Sequence, residues 1–203
     1  MKWAQTADGR IAAAGRERLL ISNEASNRIV HRWRTEEMAI MVGTNTALLD
    51  DPQLLSRWWP GKQPVRLVLD LNLRLPGSLK ILSDGHPTIV FCDRPHYASM
   101  ENAGKVKEGL VHHPLDNALQ LIPQIMEALC QLKIQSILVE GGARLLQTFI
   151  DAGTWDEART ITANKKFLGE GLPAPELKDA RLVHTENCFD DTIRYYGRNT
   201  GNE

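Results

Sequence analysis

The sequence has almost no net charge. Its 203 residues carry 24 Lys and Arg against 25 Asp and Glu, a balance of −1. That excludes the strong field by which a chain gathers nucleic acid or an acidic membrane surface. Cysteine is scarce too. Cys92, Cys130 and Cys188 are far apart and odd in number. They offer neither metal-ligand spacing nor an even disulfide set, so all three read as reduced, packed residues of a cytosolic protein. No apolar run approaches the ~20 residues of a membrane span, and no stretch reads as a signal peptide. Repeats and low-complexity segments are missing. So is the spaced-glycine fingerprint of dinucleotide-binding folds. What remains is ordinary for a globular protein: 42% hydrophobic and 24% charged residues, enough for one domain or two small ones.

The most informative stretch runs from Ser136 to Ile150. Ile137, Leu138 and Val139 form a continuous apolar run, as in a strand buried on both faces. Glu140 and the pair Gly141-Gly142 follow. Leu145, Leu146, Phe149 and Ile150 then recur at helical spacing. A strand, a tight turn and a helix start aim free backbone N–H groups past the strand's carboxyl end. An anionic ligand is favoured there. Glu140 falls at the lip of the crevice where open α/β sheets bind ligands. By themselves, the two glycines are equally well explained by a sharp turn.

Elsewhere, Trp3 to Thr6 reads as a strand closed by the turn Ala7-Asp8-Gly9. Met1 stands at what looks like the second half of that strand, so the chain is expected to be excised from something longer. Ile11 to Gly15 reads as flexible. Ser22 is the expected N-cap of a helix with Ile29, Val30 and Trp33 on one face. Strands are expected at Met38–Val42, Val65–Leu69, Thr88–Phe91 and Leu110–His112, and helices at Thr46–Asp50 and Asp116–Gln131. Ala158–Ala163, Leu182–Phe189 and Thr192–Tyr196 follow as strands without helices between them. The alternation predicts an α/β fold: a mostly parallel mixed sheet, helices on both faces, and an antiparallel edge.

Four patterns carry a family likeness. They are Lys2-Trp-Ala-Gln-Thr-Ala-Asp-Gly-Arg-Ile-Ala12; Met41-Val-Gly-Thr-Asn-Thr46 with Asp50-Asp-Pro-Gln-Leu54 and Arg57; Arg66-Leu-Val-Leu-Asp70; and Val139-Glu-Gly-Gly142. With Trp155-Asp-Glu157 and Phe167-Leu-Gly-Glu-Gly171, they resemble the reductase domain of the bifunctional riboflavin-biosynthesis deaminase/reductase over nearly the whole chain. The resemblance implies a dihydrofolate-reductase-like three-layer fold. It implies a single reductase domain over residues 1–203, without the upstream zinc deaminase domain or the start of the first strand. The implied reaction is NADPH-dependent reduction of 5-amino-6-(5-phosphoribosylamino)uracil, by hydride transfer to C1′ of the ribosyl group. A cytoplasmic homodimer is expected, with no metal and no covalent nucleophile.

The resemblance also assigns residues. Arg34, Leu54, Arg57 and Glu140 match substrate-contacting positions. Arginine suits a phosphate because its planar fork pairs the oxygens bidentately, although most arginines are simply exposed. Thr46 and Asp50 match cofactor positions. Gly141, Gly142, Ala143, Arg144 and Leu145 form the expected phosphate cradle. Gln5 and Thr6 fall where the first strand meets the nicotinamide. Glu140 and Asp8 are the candidate catalytic carboxylates, Glu140 as a stabiliser of a protonated imine. Three positions depart from the family pattern: Arg18 replaces a serine, Leu20 a tryptophan and Leu71 a small polar residue. They are the support for a catalytically inactive nucleotide-binding domain. A dihydrofolate-reductase-like enzyme with another substrate is the further alternative, which Arg34 with Arg57 disfavours. Trp58-Trp59 suits either an oligomer interface or a lid, and His112-His113 reads as a loop pair.

Overall fold

Ala39, Ile40, Met41 and Val42 contain no polar side chain, and a strand of that kind needs cover on both faces. In the computed structural model it has that cover. The structure describes residues 1–15, 19–102 and 109–199. Strand β3 (Ala39–Gly43) lies inside a five-stranded, wholly parallel sheet. Its neighbours are β4 (Val65–Leu69) and β7 (Ile137–Gly141), with β5 (Thr88–Asp93) and β6 (Leu110–Leu115) beyond β4. Met41 and Leu67 face one core, with helices α5 (Leu121–Gln131) and α6 (Ala143–Asp151). Ile40, Val42 and Val68 face the other, with α1 (Glu24–Glu36), α2 (Thr44–Asp50) and Ile81 of the short helix α3 (Lys80–Ser83). A ninth-residue helix end at Asn102 closes α4 (Arg94–Asn102), which follows β5 directly.

A second sheet has the order β1-β8-β11-β10, formed by β1 (Lys2–Thr6), β8 (Glu157–Ala163), β11 (Asp191–Arg198) and β10 (Ala180–Cys188). β1 pairs parallel with β8, and the remaining pairs are antiparallel. β1 also lies alongside β7, so the two sheets meet at the strands that carry Lys2 and Glu140. The expected three-layer α/β architecture, with a parallel sheet, helices on both faces and an antiparallel edge, is the one observed.

Several local expectations need correction. Asn23, not Ser22, caps α1: its Oδ1 accepts the Ser26 N–H at 2.8 Å. Ser22 Oγ instead donates to the Asn27 side chain. Residues 11–15 are not simply flexible. Arg10–Ala13 form β2, which pairs with the three-residue strand β9 (Gly171–Pro173). Helix α5 begins at Leu121 rather than Asp116, and Leu119 is left 62% exposed outside it. Cys92 is buried, but Cys130 is exposed rather than packed. Arg18 lies outside the described residues.

Candidate active site

Glu140 is positioned by a break in strand register. Met41 pairs with Val139, but Val42 pairs with Gly141, so Glu140 is the unmatched residue of a β-bulge. Bulges re-aim side chains and recur beside active sites. Here the carboxylate reaches α1. Arg34 Nε and Nη2 donate to its two oxygens, both at 2.7 Å, and Arg34 Nη1 donates to Leu55 O at 3.1 Å. The two side chains are only 14% and 6% exposed. Burial by itself would raise the Glu140 pKa. The Arg34 charge and its paired hydrogen bonds outweigh that and hold the carboxyl down to about 2.

A second cation lies within electrostatic reach of this pair. Lys2 of β1 is lowered from the ordinary lysine pKa, chiefly by burial and further by Arg34, while Glu140 and Asp50 oppose the shift. Asp50, at the end of α2, therefore belongs to the same cluster. Lys2 carries no weight in the sequence reading, yet its signal is there. It alternates with Ala4 and Thr6 and so falls on the face of β1 that Ala4 presents to the α1 core.

The turn after Glu140 is shaped by contact as much as by conformation. Gly142 has φ +78°, where a side chain is strained. A Cβ on Gly141 would stand 2.9 Å from Thr46 Cγ2. Thr46 thus packs against the diglycine turn from α2. Gly142 is the N-cap of α6 and offers no side-chain cap, and no acidic residue occupies the first turn. The first intrahelical bond runs from Leu146 N to Gly142 O. This leaves the Ala143, Arg144 and Leu145 amides without intrahelical partners. The Leu145 side chain is buried, so its backbone alone can meet a ligand, whereas Arg144 is exposed at the rim. Amides without side-chain competition at a helix start suit a diphosphate.

Residues 51–64, between α2 and β4, carry the remaining substrate candidates. Leu54 is buried and left-handed at φ 56°. Arg57 is exposed, and its Nη1 donates to Gln53 Oε1 at 3.1 Å. Its backbone N–H donates to His31 Nδ1 at 2.9 Å. His31 went unnoticed in the sequence, although its spacing of three from Arg34 places both on neighbouring positions of α1. Trp58 packs its ring 4.9 Å from that of His31, and Trp59 lies beneath Arg28 and Arg32.

Asp8 and Thr6 form a separate cluster. Thr6 Oγ1 donates to Asp8 Oδ1 at 2.6 Å, and Asp8 Oδ2 accepts the Gly169 N–H at 2.7 Å. The Leu168 amide donates to the same carboxylate. Asp8, whose pKa falls to about 2 mainly through the Thr6 bond, fastens the 168–169 turn over the end of β1. Gln5 is half-buried, with its Oε1 accepting from Trp3 Nε1 at 2.9 Å. Of the departures, Leu20 is 66% exposed, and Leu71 packs against the core while its carbonyl accepts the Asp93 N–H.

The family model described as the RibD C-terminal domain matches residues 1–193. The riboflavin biosynthesis protein RibD of Aquifex aeolicus is 35% identical over 208 residues, covering 98% of this chain and 57% of that protein. The chain thus spans little more than half the length of such relatives. The 2,5-diamino-6-ribosylamino-4(3H)-pyrimidinone 5′-phosphate reductase of Archaeoglobus fulgidus is 34% identical, with 96% of this chain and 91% of that protein covered. The deaminase/reductase of Thermotoga maritima superposes with a TM-score of 0.81 at 24% identity, over 97% of this chain and 55% of that one. Dihydrofolate reductase from Enterococcus faecalis, solved with NADP(H), superposes with a TM-score of 0.57 at 16% identity, over 98% and 94%. These likenesses make the fold dihydrofolate-reductase-like. With the family model matched across residues 1–193 and the motifs in their expected order, the chain belongs to the RibD C-terminal domain family.

Proposed function

We propose that this protein reduces the ribosyl group of a phosphoribosylamino-pyrimidine to a ribityl group with NADPH, the reductive step of riboflavin biosynthesis. One observation carries the reading: a helix start fitted for diphosphate adjoins the buried Arg34–Glu140 pair, with half-buried Lys2 within reach of its charges. The Ala143, Arg144 and Leu145 amides and the Thr46 hydroxyl would hold the coenzyme's diphosphate. Asp50 would accept from its ribose hydroxyls, and Gln5 and Thr6 lie on the nicotinamide side. When bound, the coenzyme supplies a hydride.

The chain's own residues do the rest. Arg57, exposed and carrying one neutral partner, grips the substrate phosphate, while Arg34 is mainly engaged with Glu140. Lys2, a half-buried lysine with a weakened hold on its proton, donates to the ribose ring oxygen as the C1′–O bond breaks. The exocyclic nitrogen shares its electron pair with C1′, and the positive charge this creates is stabilised by the Glu140 carboxylate. Hydride addition at C1′ then returns that pair to nitrogen and leaves a neutral amine, and Lys2 recovers its proton from solvent. Asp8 acts by holding the 168–169 turn.

The Archaeoglobus relative is named for the 2,5-diamino pyrimidinone rather than the uracil. Both substrates therefore belong in the test. NADPH oxidation is followed with each, and with the uracil lacking its phosphate. Oxidation with a phosphorylated pyrimidine and a large loss without the phosphate support the proposal. NADPH binding without oxidation of either refutes it. We place the enzyme in the cytoplasm as a homodimer. No helix among the described residues is long and apolar enough to cross a membrane, and exposed Leu182 and Val183 on the edge strand β10 offer a self-association surface.

A further inference from the structure

Residues 51–64 have no helix or strand of their own, and yet they must present Arg57 at a fixed place. Several bonds hold this segment. Ser56 Oγ lies 2.9 Å from both His31 O and Trp59 O, so its one proton is shared between the two carbonyls. Gln63 brackets Ser56, accepting its N–H and donating to its carbonyl, both at 2.8 Å. Arg34 Nη1 reaches Leu55 O. These contacts fix residues 55 and 56. The backbone of Arg57 itself is held by the bond from its N–H to His31 Nδ1 at 2.9 Å.

We propose that His31 is a positioning residue for substrate binding. Its Nδ1 anchors the Arg57 backbone to α1 and thereby sets where the guanidinium meets the substrate phosphate. The inference rests on the reading of Arg57 as the phosphate-binding arginine. Four observations support it. His31 is 6% exposed, so the bond is shielded from competing water. An accepting Nδ1 places the ring proton on Nε2 and defines a single tautomer. Burial, with Arg34 and Arg57 nearby, holds the imidazole pKa down to about 4, so Nδ1 stays an acceptor at neutral pH. The Trp58 ring, packed at 4.9 Å, fixes the plane of the imidazole.

The chemistry of the amide side chains supplies the test. In His31→Asn the amide oxygen falls where Nδ1 stood. In His31→Gln it falls one bond further out, near the place of Nε2. KM and kcat are measured separately for NADPH and for the phosphorylated pyrimidine, in both variants, in Arg57→Ala, and in His31→Gln with Arg57→Ala. His31→Gln is expected to raise the substrate KM about tenfold, the worth of one shielded hydrogen bond. The KM for NADPH should hold within about twofold, and His31→Asn should recover most of the loss. In the Arg57→Ala background His31→Gln should add nothing, because the two changes remove one interaction. Equal rises in both KM values, additive effects in the double variant, or no recovery in His31→Asn would each overturn the proposal. If Arg57→Ala itself leaves the substrate KM unchanged, the assignment of Arg57 to phosphate fails instead.

Discussion

Replacing Glu140 with glutamine removes a charge and almost no volume, so its cost reports the ion pair with Arg34 rather than packing. Two routes give its size. Breaking one partner of a buried pair strands the other and costs about 3–5 kcal/mol. Arg34, 14% exposed and bonded through both Nε and Nη2, meets that description. Independently, the carboxyl pKa drops from 4.5 to about 2 on folding, which corresponds to about 3 kcal/mol. The sign follows from linkage. A carboxyl whose folded pKa is depressed contributes fully above pH 4.5, and that contribution is lost as the pH falls toward 2. The Glu140→Gln protein should therefore melt about 10 °C lower at neutral pH. Its stability should also decline less than that of the wild type between pH 4.5 and pH 2. Thermal unfolding by circular dichroism across this range measures both. A melting temperature within about 2 °C of the wild type at pH 7 would refute the argument. Replacing both partners, Arg34→Met with Glu140→Leu, should recover part of the stability, since neither member of the pair is then stranded without the other. Turnover should not return with it. Unchanged turnover in Glu140→Gln would remove the carboxylate from the chemistry.

Three further perturbations probe the surroundings of this pair. Gly141→Ala drives a Cβ to 2.9 Å from Thr46 Cγ2, so the turn or α2 must shift; NADPH affinity by fluorescence titration should fall about tenfold, with partial recovery when Thr46→Ser removes the methyl group. Lys2→Met removes a half-buried ammonium whose lowered pKa signals a desolvation cost, so the protein should melt at or above the wild-type temperature while kcat collapses, a pairing that a purely structural lysine would not produce. Asp8→Ala releases the Leu168 and Gly169 amides, and hydrogen exchange should show protection lost at those two residues but kept across β3 and β4.

The features legible in the sequence are those that depend on local patterning. The runs Ala39–Val42, Leu67–Leu69 and Ile137–Val139 are apolar without alternation, and each became part of a strand covered on both sides. The diglycine turn and the α6 start were readable for the same reason, because backbone conformation at Gly142 and helical periodicity after it are short-range properties. Strands β2 and β9 were not readable. Arg10–Ala13 and Gly171–Pro173 are too short to show a period, and they exist because they pair with each other across more than 150 residues, held by Asp8 at the turn.

The site was legible as a set of residues but not as a set of bonds, and the difference matters for mechanism. Sequence reasoning treats Arg34 and Arg57 alike, as candidates for the substrate's phosphate and ribose. Folding makes them unlike, because a one-residue bulge in β7 delivers Glu140 to Arg34, while residues 51–64 carry Arg57 away to the surface. No pattern in the sequence marks that bulge, since it appears only in the register between β7 and β3. Lys2 was hidden for a related reason: a lysine near a chain end reads as solvated until β1 is set beside β7, and then it stands between two carboxylates and an arginine. The division of labour we propose, with Arg34 holding the Glu140 carboxylate for the chemistry and Arg57 taking the substrate's phosphate, rests on this difference in tertiary contact. It predicts that Arg34→Ala and Arg57→Ala will fail differently. The first should lower kcat and stability together, and the second should raise the substrate KM while leaving both nearly unchanged. Kinetics and melting curves on the two single variants decide it, and matching losses in both would return the two arginines to the equal footing the sequence gives them.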